Sequence, residues 1–312
     1  MNSLTPVVLG AARRIELLTG TDAAPFSLSA TCGPVAWSRG RWPNLDWTTH
    51  GLVWVGWEGE RVVWRAVRQT AGDELSVLGP ASPTEDLSWA ERVLGIAGSP
   101  PRFDDPVVEA LWLRYPGLRP FSAGSLFDGL VTSIVGQSIT IAAAAATEAR
   151  LAALFVPGVE IGERAYRSLP RADQLANASA ELVRRSGVTW RRAEALVVAG
   201  RAQANGELPS TQDAIDDPDR ARALLRQLPL VGPWTAESAL LWGVGSADVY
   251  PSGDVALLRA ARSAYGDAGL SAKALDRLSE GWRPYRGWAA RLLWTDLLGT
   301  APVANERATA SV

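Results

Sequence analysis

Leu228-Pro-Leu-Val-Gly-Pro-Trp-Thr-Ala236 and, a short way downstream, Tyr250-Pro-Ser-Gly-Asp254 decide how this chain reads. The first stretch is the end of one helix, a tight Gly/Pro hairpin and the start of a second helix. Pro229 ends the first helix because its ring clashes with the preceding turn. Gly232 can take a left-handed conformation without steric cost. Pro233 suits the first helical position, where no amide donor is needed. On that reading the amides around Val231, Gly232, Thr235 and Ala236 point outward at a helix N-terminus, which favours a phosphate through its dipole and unpaired donors. The same pattern also describes a plain helical hairpin. Asp254 then opens another helix. An acid there is favoured by the dipole whether or not it does chemistry. It can equally stabilise developing positive charge and align or deprotonate a water.

Composition narrows the classes. The chain has 312 residues, 47% of them hydrophobic, enough for two or three domains with cores. No apolar run is long enough to span a bilayer. The N-terminus lacks the basic stretch and apolar core of a secretory signal, so a cytoplasmic setting and no membrane partner are expected. Cys32 is the single cysteine, which excludes an internal disulfide and a Cys-ligated cluster. His50 is the single histidine, which disfavours a His-based metal site or a Ser/His/Asp triad. A formal net charge of −2 supplies no global basic field, so contact with nucleic acid must be local. Lys273 is the only lysine and the only candidate for Schiff-base chemistry.

The fold class expected is α+β. Residues 1–104 read as an antiparallel sheet domain with one helix, 105–303 as a mainly α-helical core of two subdomains, and 304–312 as a disordered tail. Gly51-Leu-Val-Trp-Val-Gly-Trp57 and Arg61-Val-Val-Trp-Arg-Ala-Val67 form a hairpin around Glu58-Gly-Glu60. Further strands are expected at 26–30 and 75–78, a helix at 88–96, and a linker at Gly98-Ser-Pro-Pro101. Apolar periodicity then predicts helices at 105–115, two within 122–155 joined near Gly136-Gln137-Ser138, and others at 172–176, 178–185, 190–204, 217–228, 234–243, 254–265, 271–281 and 285–298.

Four ordered motifs carry a resemblance. Beside the hairpin and its Asp, Arg114-Tyr-Pro-Gly-Leu-Arg-Pro120 is similar to "RPGLRLP". Gly129-Leu-Val-Thr-Ser-Ile-Val-Gly-Gln137 is similar to "GVRAILGQ". Trp282-Arg-Pro-Tyr-Arg-Gly-Trp-Ala-Ala-Arg-Leu-Leu-Trp294 has the spacing of "WxPWRSYALLxxW". From about residue 105 to 300 the chain thus resembles the helix-hairpin-helix (HhH-GPD) DNA glycosylases, in particular the bacterial 3-methyladenine DNA glycosylase II (AlkA) family. The resemblance implies a monofunctional glycosylase of base-excision repair, acting as a monomer on damaged double-stranded DNA. Its substrate would be an alkylated purine, 3-methyladenine-like, flipped out of the duplex.

By the same resemblance Asp254 is the catalytic residue. Trp234, Trp294 and Gln137 belong to the base pocket, and Ser138 and Ile139 to the strand-wedge region. Aromatic walls suit a cationic base, although core packing is the ordinary role of a Trp. Leu230 stands at the first glycine of the family's "LPGIGPWTA", Ser138 at its apolar wedge, and Gly253 where another Asp is common. Bifunctional members carry a Lys in "VGxKTA"; Trp234 occupies that position, so no strand cleavage is expected. No cofactor and no iron–sulfur cluster are implied, while a monovalent cation at the hairpin carbonyls remains open. Arg184, Arg185, Arg191, Arg192 and Arg201 around Trp190, and Arg283, Arg286 and Arg291 near Trp294, are either phosphate contacts or solvated faces. A DNA-binding protein with lost or reduced catalysis, and a glycosylase for deaminated or oxidised bases, are the alternatives.

Overall fold

The computed structural model describes residues 13–16, 26–70, 74–96 and 101–302. One antiparallel sheet runs in the order β1-β5-β4-β3-β2. Its strands are β1 (Arg13–Glu16), β2 (Leu45–Thr48), β3 (Gly51–Glu58), β4 (Arg61–Gln69) and β5 (Glu74–Leu78). The expected β3–β4 hairpin is present, with Val55 opposite Trp64. Residues 26–30, expected as a strand, instead lead into α1 (Leu28–Thr31), followed by α2 (Gly33–Trp37). The Ser27 hydroxyl accepts the Ala30 amide at 3.2 Å. Such a cap outweighs an alternation that over five residues fits either period.

Helix α3 (Pro83–Leu94) starts with a capping box between Ser82 and Glu85 and covers the sheet. Beneath it Arg65 is fully buried, paired with Asp86 at 2.8 Å and Glu58 at 2.7 Å and lying over the Trp54 and Trp89 rings. Most of the expected linker at 98–101 and the whole tail at 304–312 lie outside the described residues.

The helical part comprises α4 (Pro106–Arg114), α5 (Leu126–Gly136), α6 (Ile141–Phe155), α7 (Ala172–Ala176), α8 (Ala180–Arg184), α9 (Trp190–Ala204), α10 (Thr211–Asp216), α11 (Pro218–Leu225), α12 (Pro233–Val244), α13 (Val255–Ala264), α14 (Ala272–Ser279) and α15 (Arg286–Leu298). A small hairpin, β6 (Val159–Ile161) with β7 (Arg164–Tyr166), interrupts it and was not anticipated. Its Tyr166 packs with Val53, Val55 and Trp64 of the main sheet.

Helices α5 and α12 cross at close range. A β-carbon on Gly129 would lie 2.4 Å from Gly243 Cα and 2.5 Å from the Ala239 carbonyl, so only glycine fits. This crossing brings the end of α5 to the turn before α12. The residues that follow α15 lie against the sheet region: the Trp37 indole donates to the Gly299 carbonyl and the Trp47 indole to the Pro302 carbonyl, each at 2.8 Å. No single described helix is long and apolar enough to cross a membrane, and the apolar pair α5–α6 is bent by 119°.

Candidate active site

The turn before α12 is built differently from the sequence expectation. The Val231 amide donates to the Leu228 carbonyl at 3.3 Å, which makes Leu228–Val231 a turn with Pro229 and Leu230 at its centre. Leu230 has φ +62°. A Pro followed by a positive-φ residue is the type II arrangement, which normally takes glycine at that point. Leu230 holds the left-handed position itself, at a cost of about 1 kcal/mol, and packs its half-buried side chain against the core. Gly232 has φ −83° and is the extended N-cap of α12, so its expected left-handed conformation is corrected.

The four expected phosphate donors reduce to two. Val231 donates within the turn, and the Ala236 amide makes the first helical bond, to the Gly232 carbonyl at 3.0 Å. Both side chains are buried. The Gly232 and Thr235 amides stay without a backbone acceptor among the described residues, joined by that of Trp234. The physical reason is that α12 begins at Pro233, so only the first-turn amides lack intrahelical partners.

Asp254 is the N-cap of α13. Its Oδ1 accepts the Leu257 amide at 2.7 Å, and its Oδ2 accepts the Trp234 indole Nε1–H at 3.0 Å. Gly253, at φ +82°, makes the turn that delivers it, a conformation a side chain would strain. The loop is anchored from both sides. The Tyr250 amide donates to Glu237, itself paired with Arg222, and the Ser252 hydroxyl donates to Asp276 at 2.9 Å. Two donors fix the Asp254 carboxyl, and each oxygen keeps a second lone pair.

Asp254, Trp234 and Trp294 line one cleft of about 1140 Å³. Trp294 is 5% exposed and stacks on Trp242, with centroids 5.6 Å apart at 27°. Trp242 was not singled out from sequence. Trp234, Ser238 and Trp242 are spaced four residues apart on α12 and share one face, which is the signal that could have found it. Arg291 lies 4.6 Å over the Trp242 ring.

Gln137, Ser138 and Ile139 reach the same cleft. The Gln137 side-chain Nε2 donates to the Leu230 carbonyl at 2.8 Å and to the Thr235 hydroxyl at 2.9 Å, tying α5 to the hairpin. Its amide nitrogen is therefore committed to the turn. Arg192 donates to the Gln137 carbonyl from α9. Ser138 has φ +55° and is exposed, and beside it Ile139 and Ile141 are exposed apolar side chains at the rim. Val255, 80% exposed, and Arg259, both on α13, line the cleft as well.

The arginines divide. Arg291 is buried and donates to the Leu241 carbonyl, and burial pushes its pKa down to about 9. Arg283 and Arg286 are bound to Asp248 and Glu280. Arg291 is thus internal structure, which corrects the phosphate option for that residue, while Arg283 keeps 48% of its side chain exposed. Around Trp190, Arg184, Arg185 and Arg191 are exposed, and Arg184 lies 5.0 Å over the Trp190 ring. Lys273 is exposed on α14 and is not part of the cleft lining. Among the described residues no three His, Cys, Asp or Glu side chains gather as a metal site.

No family model matches the chain. It is 30% identical over 184 residues to DNA-3-methyladenine glycosylase 2 of Escherichia coli (strain K12), a match covering 57% of this chain and 60% of that protein. The chain thus spans less than two thirds of that relative's length. The 3-methyladenine DNA-glycosylase from Archaeoglobus fulgidus superposes with a TM-score of 0.75 at 20% identity, over 91% of this chain and 98% of that one. Clostridium acetobutylicum 8-oxoguanine glycosylase/lyase, in complex with double-stranded DNA containing cytosine opposite 8-oxoG, gives 0.67 at 18% identity, over 86% and 90%. These two likenesses establish the α+β fold. Motif order, sequence similarity and fold agree: the chain resembles the helix-hairpin-helix DNA glycosylases, and within them 3-methyladenine DNA glycosylase II.

Proposed function

We propose that this protein is a DNA glycosylase of base-excision repair that removes alkylated purines from duplex DNA and leaves the strand intact. The observation that carries the reading is Asp254, held by the Trp234 indole and the Leu257 amide in a cleft walled by Trp234, Trp242 and Trp294. The free amides of Gly232, Trp234 and Thr235 supply the phosphate grip. The rim side chains Ile139, Ile141 and Val255 are positioned to hold the opened duplex, with Ile139 or Ile141 as the wedge in place of Ser138. Residues 1–104 and 105–303 act as sheet and catalytic domains, and the protein works as a monomer where the chromosome lies in the cytoplasm.

In the reaction the base leaves with the electron pair of its glycosidic bond. The sugar becomes cationic at C1′, Asp254 stabilises that charge, and a water whose proton passes to Asp254 completes the substitution. The tryptophan faces hold the cationic base. The carbonyls of Leu228, Leu230 and Gly232 each accept one hydrogen bond and keep a second lone pair, which a monovalent cation would use in gripping the backbone. Trp234 in place of a lysine, and Lys273 outside the cleft lining, favour hydrolysis without a Schiff base. The test is incubation with methylated duplex DNA. Free 3-methyladenine should appear while the backbone breaks only after heat or alkali. A protein–DNA adduct trapped by borohydride would overturn the hydrolytic reading, and no released base would overturn the glycosylase.

A further inference from the structure

The loop that delivers Asp254 is tied to α12 at both of its ends. Trp234 and Glu237 lie three residues apart on that helix and project to the same side. The Trp234 indole holds the carboxyl at the end of the loop, and the Glu237 Oε2 accepts the Tyr250 amide at its start, at 3.0 Å. Between these ties the chain is tightly wound. The Ser252 amide donates to the Tyr250 carbonyl at 2.8 Å, and the Asp254 amide donates to the Pro251 carbonyl at 3.1 Å. A segment wound this closely passes a shift at Tyr250 on to Asp254.

Glu237 is itself fixed. Its Oε1 accepts from Arg222 on α11, and both side chains are largely buried. One carboxylate therefore joins the helix before the hairpin, the helix after it and the loop that carries the candidate catalytic acid. Other ties reach other points of the loop: Asp248 is bound to Arg283 and Arg286, and Ser252 to Asp276. Tyr250 is buried and its ring meets Trp282 edge-on at 6.2 Å. Without Glu237 its amide is left short of an acceptor in a mostly buried place, a state that favours a displaced loop.

Resting on the glycosylase reading, we propose that Glu237 is a positioning residue: through the Tyr250 amide it sets how far the loop carries Asp254 toward the sugar of the flipped nucleotide. Glu237 is not part of the cleft lining, so its effect on the reaction passes through Asp254. Its bond to the amide is charge-assisted and directional, which suits it to hold one loop geometry. A misplacement of about 1 Å costs about a hundredfold in rate.

The experiment uses the full chain as wild type, Glu237→Leu and Glu237→Gln. Single-turnover release of 3-methyladenine at saturating protein reads the chemical step. Affinity for a duplex holding an abasic-site analogue reads the hairpin grip, and urea unfolding reads stability. Glu237→Leu has no acceptor and should release base roughly ten- to a hundredfold more slowly, with its affinity for the abasic duplex unchanged. Glu237→Gln loses the charge facing Arg222 and should be less stable. Its side-chain oxygen still accepts the Tyr250 amide, so its rate should stay near wild type. A residue that only holds the fold would not separate rate from stability in this way. A Leu variant as fast as wild type overturns the inference. So does a Gln variant as slow as the Leu variant, or an abasic-duplex affinity that falls in step with the rate. In each of these cases release by wild type leaves the proposed function standing, whereas a wild type that releases no base removes both.

Discussion

Replacing Asp254 by Asn should stop most base release while the protein stays folded. Asn ranks with Asp as an N-cap, and its side-chain oxygen can still accept the Leu257 amide, which Oδ1 takes at 2.7 Å. What disappears is the negative charge that the proposed mechanism places beside C1′. At a separation of about 4 Å and an effective dielectric of about 20, a unit charge contributes about 4 kcal/mol to a neighbouring cation. Since about 1.4 kcal/mol is tenfold in rate, the loss is on the order of a thousandfold. The Asn amide nitrogen then faces the Trp234 indole donor, which now meets a donor instead of an acceptor at 3.0 Å. Asp254→Ala loses the cap as well and should cost about 1 kcal/mol more in stability. Single-turnover release of 3-methyladenine measures the first effect, and urea unfolding measures the second. Equal release by wild type and the Asn variant would refute the assignment. A rate loss that merely tracks unfolding would reduce Asp254 to a helix cap.

Trp234→Phe keeps the aromatic wall but removes the bond to Asp254; a hydrogen bond to a charged group is worth about 1.5–3 kcal/mol, so release should slow by roughly ten- to a hundredfold. Wild-type rates in that variant would show the indole donor to be idle. Burial raises the Glu148 pKa from 4.5 to about 8, so the folded protein holds this proton more tightly than the unfolded chain. The stability from Glu148 is therefore full below pH 4.5 and declines as pH rises toward 8. Asp128, raised to about 6, acts in the same direction. Glu148→Gln should flatten the fall in melting temperature between acid and weakly alkaline pH; a slope equal to wild type would contradict this. Gly129→Ala should destabilise by about 1–3 kcal/mol or more, because the new methyl meets Gly243 and the Ala239 carbonyl. Gly136→Ala, which meets only Ala144 at 4.0 Å, is the tolerated control in the same denaturant titration.

Much of the architecture is visible along the chain because it is written in local signals. Helices α7 and α9 occupy the expected 172–176 and 190–204, where capping residues and apolar spacing act within one or two turns. The β3–β4 hairpin follows from two β-branched runs around Glu58-Gly-Glu60 in the same way. Residues 26–30 fail the same logic because so short a segment carries no decisive period. The β6–β7 hairpin escapes it because its stability comes from Tyr166 packing on a distant sheet.

The candidate site divides along the same line. The sequence alone places Asp254 at a helix start beyond a Pro-containing turn, and Trp234 at the head of α12, since prolines, glycines and caps act on their immediate neighbours. Only the tertiary structure decides which turn residue is left-handed, and it selects Leu230 over Gly232. It decides that Val231 and Ala236 bond internally, that Arg291 is a buried support and that Trp242 completes the aromatic wall. It also brings the Trp234 indole onto Asp254 and leaves a Glu148 oxygen buried without a partner. These outcomes depend on donors, acceptors and ring faces contributed by segments far apart in the chain, and they exist only once α5, α6, α12, α13 and α15 have packed together.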